Sequence, residues 1–384
     1  MNILMLNGPD QKMGAPKSLF GICVEWKKQK IDMVVLTQNY GDLNNNLDSI
    51  GVKNYKIPYR NILTKSNHKI LRRIRELFLN RISLMMIRRI MKQNKFDAIY
   101  SSSSIFRFGA EVAEKYNIPH IWHIREFGYD DYELVPIKSD YYNYMNNHCD
   151  KFISISNAIR ECWIKKGLDE NKIINIYNGI NPDLITPKNY DQRVDDRIKI
   201  IISGSISKAK GQYQLIDAVA SLSEIERDKI VVDVWGTSPD HAYMESLVNT
   251  VRRLNLKNIN FRGYNSNLNS ILNQYDIGVV ASKSEGFGRV TVEYMMARLC
   301  VLASNTGANK ELIKDGYDGI LYDYNSVKSL AMKLHYLIEN AEVRQKLAEA
   351  GREKAINSFT AKRNADEILS IIENSISIRK GSRQ

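Results

Sequence analysis

The chain has 384 residues, 43% hydrophobic and 26% charged, and its 55 lysines and arginines outnumber 43 acids for a formal net charge of +12. At roughly 100–200 residues per domain this length predicts about two domains, and ordinary apolar content with well-mixed charge excludes a disordered chain. The positive surplus fits nucleic acid, phosphorylated metabolites or an acidic membrane surface, and does not choose among them.

The N-terminal MNILMLNGPD has no basic n-region and only a short apolar run, so it reads as a first strand and not as a signal peptide. Apolar runs at 2–6, 32–37, 98–101, 120–124 and 151–154 predict buried strands, and 18–29 and 109–116 between them have helical spacing. Strand–helix–strand repetition of this kind makes a parallel sheet covered on both faces. After the polar, proline-containing stretch 181–197 the pattern restarts, with strands predicted near 198–203, 230–235, 259–262, 277–281 and 301–304. The expected class is therefore α/β, with two doubly wound domains, 1–190 and 191–360, joined by that linker.

No stretch approaches the ~18 apolar residues of a membrane span, which predicts a cytoplasmic protein, soluble or peripherally bound. Cys23, Cys149, Cys162 and Cys300 are scattered without a Cys-x-x-Cys or nearby histidine pair, the pattern of free thiols in a reducing cytosol. Residues 1–190 carry a net +9 and residues 191–384 a net +3. The excess concentrates between Lys65 and Lys95, where ten basic residues meet one acid, Glu76, and apolar residues from Ile70 to Ile90 recur at helical spacing. Such a segment fits attraction to an anionic membrane surface, and equally a domain helix with an apolar core face.

Three constellations carry chemistry. SKSEGFGRVTVE, Ser282 to Glu293, follows a predicted strand and enters a helix, with Glu285 in the loop and Glu293 in the helix. Gly286 and Gly288 permit close backbone approach, and the amides of Arg289 and Val290 at a helix N-terminus suit a phosphate. Carboxylates beside a phosphate cradle suit a sugar nucleotide, because they accept hydrogen bonds from sugar hydroxyls. A dinucleotide fingerprint fails here, since Thr291 stands at its third glycine and Asn305 ends the next strand where an acid is required. Second, a strand closes in a loop holding Gly204, Ser205, Lys208 and Lys210, whose amides and ammonium groups suit a pyrophosphate. Third, HIWHIRE closes a first-half strand with His123 and Arg125 as candidates and His120 as a structural residue. No Asp-x-Asp occurs in the sequence, so a divalent ion clamped on a sugar diphosphate lacks its usual ligand pair.

Together these residues resemble the family 4 (group 1) retaining glycosyltransferases of the GT-B fold. The likeness runs through GSISKAKGQ, VWG, FRGY, SKSEGFGRVTVEYM, SNTGANKELI and DGYDGIL, and in the first half through IPHIWHIRE, ISISNAI and IYNGIN. It implies two Rossmann-like domains facing across a cleft, with the last segment, 361–384, packing back on the first domain. It also implies a nucleoside-diphosphate sugar as co-substrate, no cofactor and no metal. By the same likeness Glu293 bonds the donor ribose, while Glu285 with Gly286 and Phe287 holds the transferred sugar. Lys210, Lys208, Ser205 and the Gly288, Arg289 and Val290 amides neutralise the diphosphate. Arg262, Gly263 and Tyr264 line the base pocket, and Glu285, His123 and Lys210 form the catalytic set. Gly14, Ala15, Lys17 and Arg125 lie on the acceptor side. The acceptor it implies is a cell-envelope glycan or a polyprenyl-phosphate-linked one, with same-face attack and departure of the phosphate retaining configuration.

The chain departs from the family pattern at three places. Ser205 stands where many relatives carry arginine, and Gly14-Ala15-Pro16-Lys17 where a Gly-Gly-acid loop is common. After the second glutamate, Arg298 and Cys300 replace a glycine and a proline, at a steric cost if that turn needs positive φ. Two competing classes stay open: a binding subunit of this fold without turnover, and a nucleic-acid binder, which lacks basic–aromatic interleaving.

Overall fold

The computed structural model describes residues 1–8, 14–61, 63–64, 69–128, 135–136, 140–191 and 197–381, with main chain only at 63–64, 69–73 and 76. The chain divides into two compact units, Met1–Gly179 with Ala361–Gln384, and Ile180–Thr360.

The first unit is built on β1 (Asn2–Leu6), β2 (Asp32–Thr37), β3 (Lys53–Lys56), β5 (Ala98–Ser101), β6 (His120–Ile124), β8 (Lys151–Ser154) and β9 (Ile173–Asn175), with β4 (Leu63–Thr64) and β7 (Val135–Pro136) pairing apart. The seven strands are parallel in the order β3-β2-β1-β5-β6-β8-β9. Alternation along β1 feeds two layers. Ile3 and Met5 pack with Leu19, Ile22 and Trp26 of helix Gly14–Lys28 and with Ile368 and Ile372 of helix Ala361–Gly381. Leu4 and Leu6 face Ile87 and Ile90 of helix Lys69–Gln93 and Phe108 and Val112 of helix Phe108–Tyr116. Both faces are covered, which is why the strands read as unbroken apolar runs. The indole of Trp26 donates to Ala365 O (3.0 Å) and Arg379 pairs with Asp150 (2.8 Å), fastening the terminal helix to this unit.

The second unit holds β10 (Ile198–Ser203), β11 (Ile230–Trp235), β12 (Ile259–Gly263), β13 (Ile277–Val280), β14 (Cys300–Ser304) and β15 (Ile320–Tyr322), parallel in the order β12-β11-β10-β13-β14-β15. Its core runs through Ile200, Ile202, Val232, Val234, Ile277, Val279 and Leu302. Cys23, Cys149 and Cys300 are buried free thiols and Cys162 is a free thiol at partial exposure.

The division falls between Gly179 and Ile180, not after residue 190, and the stretch 181–197 expected as the linker is bound to the second unit as far as it is described. Ile180 bridges Thr360, Lys188 pairs with Asp276 (3.2 Å) and its amide donates to Ala297 O (2.8 Å), and the Tyr190 hydroxyl donates to Arg298 O (3.0 Å). Apolar Ile180 and Ile185, 1% and 3% exposed, drive that attachment.

Arg298 has φ 61°, a left-handed conformation that costs an L-residue roughly 1–2 kcal/mol. Its side chain compensates: it pairs with Glu349 (2.6 Å) and lies over the Tyr190 ring (5.1 Å). Arg298→Ala loses these contacts and keeps the backbone cost, whereas Arg298→Gly loses them and sheds it. Urea unfolding should therefore find the glycine variant more stable than the alanine variant by about 1 kcal/mol. Equal stabilities would show that the backbone cost is not felt.

Candidate functional site

The carboxyl ends of β10, β11 and β12 each reach a positive-φ glycine: Gly204 (131°), Gly236 (134°) and Gly263 (75°). They interlock, with Gly204 N–H donating to Trp235 O (3.1 Å) and Gly236 N–H donating to Gly263 O (2.7 Å). A Cβ on Gly236 would lie 1.8 Å from Gly204 O, so bare backbone is a steric requirement there. The result is a floor without side chains where parallel strands present their ends, the usual crevice for ligands in such sheets.

Beside the floor, the loop after Gly204 is fixed from below. Gln212 accepts from Ser207 N–H (3.2 Å) and donates to Ser205 O (3.1 Å), and Gly211 (φ 68°) opens helix Gln212–Ala220 against Ala281 O, where a Cβ would sit at 2.1 Å. Ser205 and Lys208 are exposed and Lys210 is half-buried. The amide of Lys283 donates to Ala209 O (2.8 Å), tying this loop to the one after β13.

That second loop carries Glu285. Its Oε1 accepts from Lys210 Nζ (2.6 Å) and from Ser282 Oγ (2.6 Å), so the two expected charged groups are in direct contact. The backbone of Glu285 is clamped by Ala308 N–H (2.9 Å to Glu285 O) and by Gly307, where a Cβ would meet Glu285 O and N at 2.5 and 2.6 Å. Gly288 (φ 82°) then starts helix Arg289–Met296, leaving the first-turn amides of Arg289 and Val290 at its N-terminus. Glu293, one turn further, pairs with Arg289 (2.9 Å). Phe287, expected among the donor contacts, is 4% exposed with its ring edge-on to Phe359 (6.1 Å), so its side chain belongs to the core and only its backbone borders the loop. Arg262 pairs with Asp233 (2.9 Å), which also accepts from Asn260 and from Tyr275, while Tyr264 beyond Gly263 is 74% exposed.

In the first unit, His123 lies in β6 one residue before its end and is fully buried. The Tyr100 hydroxyl donates to its Nδ1 and Arg125 Nη2 lies 3.3 Å from the same atom. The Arg125 guanidinium can only donate, which makes Nδ1 the acceptor and assigns the ring proton to Nε2, a buried atom with no partner among the described residues. Burial and the Arg125 charge hold His123 well below the ordinary histidine range, so it is neutral. A neutral ring with its N–H unspent can donate to a ligand oxygen and is a poor base. Arg125 is anchored by Asn178 (2.6 Å). His120 is structural: its Nδ1–H donates to His148 O (3.0 Å), its Nε2 accepts from Ser101 (2.9 Å), and burial lowers its pKa to about 4. Gly14 and Ala15 open helix Gly14–Lys28, and Lys17 is exposed one turn in. Ser282, Gly307, Asn178 and Tyr100 carry no role in the sequence reading, although Ser282, Gly307 and Asn178 lie inside the motifs quoted there. No group of metal-ligating side chains occurs among the described residues.

The family profile "Glycosyl transferases group 1" matches residues 188–354, and "Glycosyltransferase Family 4" matches residues 14–184. The chain belongs to the family 4, group 1 glycosyltransferases. Its two parallel sheets of seven and six strands are the GT-B fold of these transferases. An uncharacterized glycosyltransferase of Methanocaldococcus jannaschii is 32% identical over 64% of this chain and 66% of its own length. An uncharacterized 41.2 kDa protein in the cps region of Klebsiella pneumoniae is 24% identical over 75% of this chain and 81% of its own length. The crystal structure of Anabaena HepE in complex with UDP superposes with a TM-score of 0.81 at 21% identity, covering 97% of this chain and 100% of the other. That glycosyltransferase likeness is one of fold.

Proposed function

We propose that the protein transfers a hexose or N-acetylhexosamine from a nucleoside-diphosphate sugar to a cell-envelope glycan or lipid-linked acceptor, with retention of configuration and without a metal ion. The Lys210–Glu285–Ser282 contact beside the N-terminus of helix Arg289–Met296 carries this reading. Lys210 and the first-turn amides supply positive charge to a diphosphate, and the carboxylates of Glu285 and Glu293 accept from sugar and ribose hydroxyls. The neutral Nε2–H of His123 is a donor available to a ligand of the first unit. HepE, a structure of this fold, was solved with UDP, and the Klebsiella relative is described by its place in the cps region, which supports a UDP-sugar and a surface polysaccharide.

Thermal-shift screening against nucleotide sugars, followed by transfer assays of the purified chain in EDTA, tests this directly. Stabilisation by a UDP-sugar and full turnover in the chelator are expected. Strict dependence on manganese overturns the metal-free mechanism, and donor binding without any transfer or hydrolysis overturns the enzyme in favour of a binding subunit.

A further inference from the structure

Among its described side chains, helix Lys69–Gln93 fully buries Asn80, Ser83, Ile87 and Ile90, of which the first two are polar. Its opposite side also carries large apolar side chains: Ile74, Phe78 and Met85 are 61%, 64% and 58% exposed, at the four- and seven-residue spacing of one helical face. An amphipathic helix folded for its domain alone would present these positions to the core. Arg81, Arg88, Arg89 and Lys92 share that outward side, all exposed and without an ion pair among the described residues. The only acid in the sequence between Lys65 and Lys95 is Glu76. A contiguous exposed apolar patch marks an interaction surface, and a basic rim selects what covers it.

We propose that the outward face of helix Lys69–Gln93 docks on an anionic lipid bilayer, with Ile74, Phe78 and Met85 inserted among the acyl chains and the flanking arginines on the headgroup phosphates. A protein partner of ordinary composition would need acidic side chains opposite at least four cations, whereas an anionic leaflet presents that charge everywhere along the helix. No described helix is long and apolar enough to cross a membrane, so the contact is one of surface and not of span. The inference rests on the proposed reading only for the expectation that the acceptor is found at a membrane.

Co-sedimentation with phosphatidylcholine vesicles, with and without phosphatidylglycerol, is the test. The full chain should pellet with the anionic vesicles, stay in solution with the neutral ones, and be released as ionic strength rises. The triple variant Arg81→Gln, Arg88→Gln, Arg89→Gln should partition roughly a hundredfold more weakly, the fold-change of about 1 kcal/mol for each charge lost. Phe78→Ser with Ile74→Ser should weaken binding at unchanged charge. UDP affinity, measured on the same preparations, should be unchanged in both variants and reports that each is folded. Equal pelleting with both vesicle types overturns the proposal. So does concentration-dependent self-association that Phe78→Ser abolishes without any vesicle binding, which would assign the face to a second copy of the chain. UDP binding and vesicle binding fail independently, so loss of the first leaves the docking face standing and the donor reading overturned.

Discussion

Lys210→Ala is expected to weaken UDP binding by about a hundredfold and to lower turnover by at least as much. The ammonium group sits 2.6 Å from Glu285 Oε1, on a loop whose backbone is fixed by Gln212 and by the amide of Lys283. A charge-assisted contact from such a group to a diphosphate contributes about 1.5–3 kcal/mol, which is one to two decades in affinity. The folded state should lose little, because the Lys210 side chain is 36% exposed and a pair that accessible contributes at most about 1 kcal/mol. Glu285→Gln separates the two roles. It removes the carboxylate proposed to accept from the sugar and leaves the lysine, so UDP affinity should hold or rise while UDP-sugar turnover falls. Calorimetry with UDP alone, then with the sugar nucleotide, reads both variants. Unchanged UDP affinity in Lys210→Ala would remove this lysine from the phosphate site.

The two members of that pair were readable in sequence, and their contact was not. Glu285 and Lys210 lie 75 positions apart and meet only because β10 and β13 are neighbours in the sheet. Strands β1, β2, β10 and β11 stand at their predicted ends, because sheets covered on both faces demand unbroken apolar runs. β3 was not anticipated: Lys53-Asn54-Tyr55-Lys56 is an edge strand, and an edge is kept polar to discourage further pairing. β9 and β15, three residues each at the other sheet edges, give too short a signal for periodicity to register. Residues 181–197 look like a linker for their prolines and polar side chains, yet buried Ile185 and the contacts of Lys188 and Tyr190 hold the described part on the second unit. The protonation of His123 depends on Tyr100, which β5 places beside it, and no local pattern carries that information. Arg298 is the converse case, since the positive φ its position suggested is present and the ion pair that accompanies it was not foreseeable.

The second large effect concerns the backbone floor and not a charged group. Gly236→Ala places a methyl 1.8 Å from the carbonyl oxygen of Gly204, and the atom it meets is main chain, which cannot rotate aside. Relief requires β10 and β11 to separate at their carboxyl ends. That movement breaks the bond between them from Gly204 N–H to Trp235 O. Overpacking together with this lost bond between half-buried groups predicts a destabilisation of about 3 kcal/mol. Gly263→Ala is the control. Its φ of 75° is also left-handed, but nothing lies within 4 Å of its added methyl, so only the conformational cost of roughly 1–2 kcal/mol remains. Urea unfolding should rank the two in that order. Because the Gly204–Lys210 loop leaves from the displaced strand end, Gly236→Ala should also weaken UDP binding under conditions where the variant is still fully folded. If Gly236→Ala binds UDP as the parent does, the glycine floor is a packing feature and the diphosphate is held by the Glu285 loop and helix Arg289–Met296 alone.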